Sequence, residues 1–454
     1  MDSKTKKALL KMGYLVPISM LVVGILAIIF LQRILFGYDM AYGIVAAIAV
    51  SIVILLLIYL TRLQLKKLEE NKKLKRVIPA IYSFISIISI VCIVLAAMFV
   101  TPYASAVRYN TGPVLTWGSD QDPQTEVTIM WRTKENSNSI VYYGTSADSL
   151  NQEVNLDESL KWHQVPLSGM DPGQKYYYRL GNFRESEIFS FTTAPAGEED
   201  YSFLVFADPR QNSGLLGTTF QPNVPKEMDA YVKEKEMDLA FSICCGDIVS
   251  EGTDEAIWKS WFDDISTSSD LSSLAPLQIA VGNHERHDNC EGDIFDRRYP
   301  YESKPHYYYS YNYSNTHFLM ADPWNYTSSA CWWGEFTEEQ LTWIENDLQK
   351  ASSKKYKIVS LHPPIVSDGE VKEAYQDFIS LMEQYDVDAV FYGHAHRFEV
   401  NEINGVNYFM VGVGGNNGQN AQPPGFCQVD VSAHNITLSM NWLNGTNQAL
   451  TVIE

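Results

Sequence analysis

The 454-residue sequence predicts a multi-domain chain, with three apolar helices at the amino terminus, then an all-β sandwich, then an α/β domain. Three observations carry this. The opening residues hold long apolar runs, residues 110 to about 195 alternate apolar and polar side chains between turn signals, and the remainder holds buried runs that end in metal-binding residues. The expected limits are 1–102, 103–197 and 198–454.

Tyr14 to Phe30, Ala41 to Leu60 and Ile78 to Val100 are each about twenty residues long, enough to cross a bilayer as helices. A cleavable signal peptide is the rival for the first run, but Leu31-Gln32-Arg33 follows it without a small-residue cleavage pattern. Retained helices are the simpler reading. Only Gly37-Tyr38-Asp39-Met40 clearly separates the first two. Lys4, Lys6, Lys7 and Lys11 precede the first run, and Arg62, Lys66, Lys67, Lys72, Lys73, Lys75 and Arg76 lie between the second and third. Both groups are expected on the cytoplasmic side, which puts Thr101 and all that follows outside the cytoplasm. The expected location is the cell membrane, multi-pass, with the lipid bilayer as a partner. The alternative for the charged connector is a protein interface, which leaves orientation to the amino terminus alone.

Charge follows the same division. Residues 1 to 100 hold 12 of the 34 basic and 4 of the 54 acidic side chains, so residues 101 to 454 carry 22 and 50. That field excludes nucleic acid as a partner and does not draw phosphate compounds in from a distance. Attraction of an anionic substrate must come from local positive charge.

Between 110 and about 195, Val127 to Arg132, Ser139 to Tyr143, Tyr176 to Leu180 and Ile188 to Thr192 read as short strands. Asp171-Pro172-Gly173 marks a turn. Beyond the sandwich, Phe203 to Ala207, Leu239 to Cys245, Leu277 to Val281, Ile358 to Leu361 and Ala389 to Tyr392 read as buried strands. They run into Asp208, Gly246-Asp247, Gly282-Asn283-His284-Glu285, His362 and Gly393-His394-Ala395-His396. In an open α/β sheet, strand ends are where side chains converge on a ligand.

These residue types suit two metal ions acting on a phosphate. A pair of cations holds the phosphate oxygens and lowers the pKa of a shared water to roughly 7, and a carboxylate such as Asp247 offsets the repulsion between them. Asn283 and the histidines are neutral donors of the kind that zinc, iron and manganese accept. Each motif alone is explained as readily by ordinary turn chemistry. Gly-Asn-His-Glu and Gly-His-Ala-His together, on strand ends, are not.

The series resembles the calcineurin-like metallophosphoesterase superfamily, and within it the purple acid phosphatase branch, over most of residues 104 to 454. Met130-Trp131-Arg132-Thr133, Tyr143-Gly144-Thr145-Ser146 and Tyr177-Tyr178-Arg179-Leu180 resemble the fibronectin III-like domain preceding such cores. The resemblance implies a four-layer β-sandwich flanked by helices and two divalent or trivalent ions, Fe, Zn or Mn. It assigns Asp208, Asp247 and His396 to a first metal, and Asp247, Asn283, His362 and His394 to a second. His284, steered by Glu285, is then the general acid or a stabiliser of the phosphate, with His287 as competitor or plain loop residue. Relatives of this kind often form homodimers.

Two departures concern the first metal. Arg210 stands where many superfamily members have a histidine, and Ser250 stands where purple acid phosphatases have the tyrosine that gives colour. Extra water, weaker binding, or another ligand such as His287 or Gln211 are the alternatives. Arg210 either grips the substrate phosphate or forms a loop salt bridge.

The remaining signals are mostly scaffold. Thr337 and Gln340 form a capping-box pattern before a helix with Leu341, Ile344 and Leu348, and a second helix is expected from Lys372 to Tyr385. Tyr307, Tyr308, Tyr309, Tyr311 and Tyr313 suit a half-buried strand, while Trp332 and Trp333 either cover a helix or form an apolar lip. Cys290 and Cys331 are candidates for a disulfide, whereas Cys244 and Cys245 sit on a buried strand. Asn312, Asn325, Asn435 and Asn444 head glycosylation sequons. The expected function is a membrane-anchored, outward-facing phosphatase that hydrolyses small phosphomonoesters or phosphodiesters with a bridging metal hydroxide. The alternative is a non-catalytic surface module that keeps the fold.

Overall fold

The computed structural model describes residues 111–181, 187–209, 224–266, 269–286, 295, 298–301, 307–324, 334–415 and 422–453. The three apolar runs lie outside the described residues, as do Arg210, Gln211, His287, Cys290, Cys331, Trp332 and Trp333. Among the described residues no helix is long and apolar enough to cross a membrane.

The amino-terminal β domain is one connected sheet. Its strands are β1 (Thr111–Thr116), β2 (Val127–Gly144), β3 (Gln152–Leu167), β4 (Lys175–Leu180) and β5 (Phe189–Thr192). Val127 to Arg132 and Ser139 to Tyr143, read above as two strands, are the two ends of β2. The polar stretch between them stays extended because it pairs with β3 through a register shift between Arg132 and Ser139. The first end of β2 pairs with β1 and the second with β4, so one long strand holds both parts of the domain.

Chain order then runs β6 (Tyr201–Phe206), α1 (Val224–Glu234), β7 (Leu239–Cys244), α2 (Glu255–Ser266), α3 (Leu271–Leu274) and β8 (Leu277–Ile279). It continues through β9 (Tyr309–Tyr313), β10 (Thr316–Met320), α4 (Glu338–Lys350), β11 (Tyr356–Ser360), β12 (Val366–Ser367), β13 (Glu370–Val371), α5 (Gln376–Gln384) and β14 (Ala389–Tyr392). It ends with β15 (Phe398–Ile403), β16 (Val406–Val411), β17 (Gly425–Val431), β18 (Ile436–Trp442) and β19 (Asn447–Ile453). Two six-stranded sheets result, in the orders β19-β18-β17-β6-β7-β8 and β15-β16-β14-β11-β10-β9.

Strand alternation explains the layers. On β14, Ala389 and Phe391 enter the core shared by both sheets, while Val390 and Tyr392 pack in a second cluster with Ile344 and Leu348 of α4 and Phe378 and Met382 of α5. β10 and β11 divide in the same way, so all three strands are buried on both faces. Between the sheets Phe203 meets Phe318 edge-on at 5.4 Å and Phe241 meets Tyr311 at 5.9 Å. Truncating one such ring to alanine costs about 3–5 kcal/mol.

The β domain packs against the second domain through one continuous core. Trp117 lies 5.5 Å from Phe241, Trp162 stands edge-on 4.9 Å from Phe262 of α2, and Tyr178 donates its hydroxyl to the Ser273 oxygen at 2.9 Å. Its described contacts include α2, α3 and the start of β8, and Trp117 also reaches Phe241 of β7 and Tyr311 and Tyr313 of β9.

Two helical expectations change. The helix expected from Lys372 begins at Gln376, after a single 3-10 turn at Glu373–Tyr375. Thr337 caps α4 by accepting the Gln340 amide hydrogen, but the Gln340 side chain does not return to it. That side chain instead bonds both backbone groups of Asp322, whose strand-end backbone would otherwise be buried unpaired.

Candidate metal centre

The parallel strands of both sheets deliver their following residues to one place. Asp208, Asp247 and Asn283 come after β6, β7 and β8, and His362, His394 and His396 come after β11 and β14. The chain turns at once. Asp208, Asp247, His394 and His396 have φ values of 56°, 55°, 72° and 48°, the left-handed region that costs a residue with a side chain about 1–2 kcal/mol. Such strain persists because neighbouring packing holds it. Gly246, at φ 84°, lies so close to His362 that a Cβ there would sit 2.6 Å from Nδ1, and a Cβ at Gly393 would sit 2.5 Å from Asp208 Oδ2. Glycine at both positions lets backbone and ligands share the space.

Two groups of three follow, Asp208 with Asp247 and His396, and Asp247 with His362 and His394, with ligand atoms inside 4.8 Å in each. Asp247 belongs to both. Its Oδ1 lies 3.2 Å from His362 Nε2, while Asp208 Oδ1 lies 3.3 Å from His396 Nε2. Asn283 Oδ1 is 3.0 Å from His394 Nδ1.

The donors fit metal ions on their own terms. Asp208 is 2% exposed and its Oδ1, 3.3 Å from His396 Nε2, accepts no hydrogen bond of good geometry, so a cation there would offset the cost of burying the carboxylate. Two buried carboxylates and three imidazoles form an oxygen and nitrogen set suited to Fe, Zn or Mn. Burial opposes charge on His362, but the Asp247 and Asp208 carboxylates outweigh it and lift the imidazole to about 9. Burial and the neighbouring His362 lower His394 to about 4.

Outer contacts aim these ligands. His362 Nδ1 lies 2.7 Å from the Cys245 oxygen, so Nε2 faces the centre. Glu285, expected to steer His284, does something else. Its carboxylate is buried and accepts the amide hydrogens of Asp247 at 2.9 Å, Val249 at 3.1 Å and Gly282 at 2.7 Å, tying the loops after β7 and β8 together. Burial first, and then Asp247, raises Glu285 to about 7. His284 is oriented by the Ser250 oxygen, 2.8 Å from Nδ1, and its Nε2 lies 3.9 Å from Asp247 Oδ2.

Asp208, Asp247, Asn283, His284, His362, His394 and His396 are therefore brought together. The Ser250 hydroxyl is buried without a hydrogen-bond partner. Trp324 was not anticipated. Its ring centre lies 6.1 Å from that of His362 and 6.4 Å from that of His394, and its Nε1 donates to the Val281 oxygen at 2.8 Å. The signal was present, because Asp322-Pro323 ends an apolar run as Asp208-Pro209 does. Cys244, Cys245 and Cys427 are buried free thiols.

Comparison with known proteins gives two family matches. Residues 111–193 match "Purple acid Phosphatase, N-terminal domain" and residues 202–398 match "Calcineurin-like phosphoesterase". Purple acid phosphatase 21 of Arabidopsis thaliana is 28% identical over 272 residues, covering 56% of this chain and 56% of that protein. Purple acid phosphatase 23 of the same plant is 25% identical over 372 residues, covering 71% and 79%. The chain thus spans little more than half of the first relative. Two other Arabidopsis thaliana relatives are named probable inactive purple acid phosphatases. The structure of purple acid phosphatase PPD1 from yellow lupin seeds has the same fold, with a TM-score of 0.59 at 18% identity over 76% of this chain and 74% of that one.

Proposed function

Because the chain is built of a purple acid phosphatase N-terminal domain and a calcineurin-like phosphoesterase domain, we propose that it hydrolyses small phosphate esters at the strand-end centre. The observation that carries this is the pair of ligand groups sharing Asp247. Asp208, Asp247 and His396 would hold one metal ion, and Asp247, Asn283, His362 and His394 the other. When bound, the two ions supply positive charge for the phosphate and acidify the attacking water.

The side chains do the rest. Asp247 lends one buried carboxylate to both positions, and the Cys245 oxygen keeps the His362 ring facing inward. His284 presents Nε2 to the opening, where it holds a proton for the departing oxygen. Glu285 sets the spacing of the loops that carry Asp247 and Asn283. Arg210 and His287 are further candidates for gripping phosphate and for the acid role. The natural setting we propose is the outer face of a membrane, supported by the three apolar runs and the lysine- and arginine-rich segments beside them.

The test is metal content together with turnover of an aryl phosphate by the purified chain. Two metal ions per chain and turnover that vanishes in Asp247→Asn are expected. Fewer than two and no turnover favour the second reading, a non-catalytic module, whose support is the three-residue first group and the relatives named inactive.

A further inference from the structure

Trp324 is among the largest fully buried side chains, at 1% exposure, yet it belongs to neither hydrophobic cluster. Among the described residues its ring partners are two ligand histidines, with ring centres 6.1 Å away at His362 and 6.4 Å away at His394. These separations lie within the range of direct aromatic contact. A tryptophan that served only to fill space would sit among the apolar residues of one of the clusters.

The second ligand group draws its donors from both sheets. Asp247 and Asn283 follow β7 and β8 of one sheet, while His362 and His394 follow β11 and β14 of the other. The indole spans that seam. Trp324 follows β10, the neighbour of β11, and its Nε1 crosses to donate to the Val281 oxygen at 2.8 Å, just before Gly282 and Asn283. The ligands themselves meet across the same seam, where Asn283 Oδ1 lies 3.0 Å from His394 Nδ1.

The position of Trp324 is set by the scaffold and not by the ligands. Two residues earlier, the Gln340 side chain holds both backbone groups of Asp322, at 3.1 Å and 2.6 Å, and Asp322 Oδ2 accepts the Tyr307 amide hydrogen at 2.8 Å. Trp324 itself forms a backbone bridge with Gly334. A ring anchored in this way holds its neighbours and does not follow them.

We infer that Trp324 is a positioning residue for the second metal ion. Its N–H fixes the chain segment that carries Asn283, and its ring backs His362 and His394, so that donors from two sheets keep one geometry. The inference rests on the two-metal reading. It gives Trp324 no contact with substrate, in keeping with its burial.

Trp324→Phe keeps a ring and loses the N–H, and Trp324→Leu loses both. Stepwise zinc affinities of the metal-free full chain are measured by competition with a chromophoric chelator, with thermal melts confirming that each protein folds. Wild type is expected to take up two ions. In each variant one affinity should fall about 10–100-fold, as when an outer partner of a metal ligand is lost, and the other should change by less than about twofold. His396→Ala leaves intact only the group beside Trp324, and His394→Ala only the other group. Adding Trp324→Phe should weaken zinc binding in the first of these proteins and not in the second. Two affinities that fall together, or that hold, in both variants overturn the role of Trp324 and leave the phosphoesterase reading intact. If wild type takes up fewer than two ions, the two-metal reading falls and the inference with it.

Discussion

The Nδ1 atom of His284 lies 2.8 Å from the backbone oxygen of Ser250, and this contact, not Glu285, decides where the imidazole points. A backbone oxygen accepts only, so Nδ1 carries the hydrogen and Nε2 is the ring nitrogen that can exchange a proton.

His284→Ala should therefore lower kcat by about 10²–10⁴ for esters with poor leaving groups and far less for activated aryl esters. Metal content should stay at the wild-type level. A uniform loss across leaving groups in a leaving-group series would assign His284 to phosphate binding instead.

Glu285→Gln should weaken metal binding by about 10–100-fold. The amide cannot accept three backbone N–H groups as the carboxylate does, so it turns a donor toward one of them. Titration of the metal-free protein with zinc, followed by competition with a chelator, measures the change.

Metal entry should release about one proton at pH 7 from the second ligand group. His362, at about 9 without metal, must give up its proton, whereas His394, at about 4, is already neutral. Affinity should rise as pH goes from 7 toward 9, by up to about tenfold per unit. Calorimetry in buffers of different ionisation enthalpy counts the protons.

Iron-loaded wild type should show no tyrosinate charge-transfer band, because residue 250 is serine. Ser250→Tyr should gain visible absorption if the phenol reaches the first ligand group. A visible spectrum of each protein after iron loading decides it.

Asp264 on α2 is raised to about 7, by burial first and by Asp263 second. A carboxyl held above its unfolded value stabilises the fold below about pH 4, and this contribution is lost as pH rises through about 7. Asp264→Asn should therefore stabilise more at pH 8 than at pH 4, on the order of 1–2 kcal/mol allowing for partial solvent access. Melting curves of both proteins at the two pH values test the sign.

Much of the centre was legible because each ligand follows a run buried on both faces, and an apolar run that stops at Asp or His advertises its end. β3 was not legible. Most of Gln152–Leu167 is solvent-exposed, so no apolar alternation marks it, and pairing with β2 alone makes it a strand. Gln340 was half legible, since its position beside Thr337 follows from the cap but its bonds to Asp322 depend on a strand 18 residues away.

The sequence by itself determined the order of the two matched domains, the five strands that lead into the centre and the residue types at their ends, because local hydrophobic periodicity and turn chemistry act over a few positions. Only the tertiary structure decided that Asp247 belongs to both ligand groups and that the Glu285 carboxylate ties the loops after β7 and β8 together. Those relations join residues tens to hundreds of positions apart. They exist only when two sheets pack face to face and bring their strand ends to one edge.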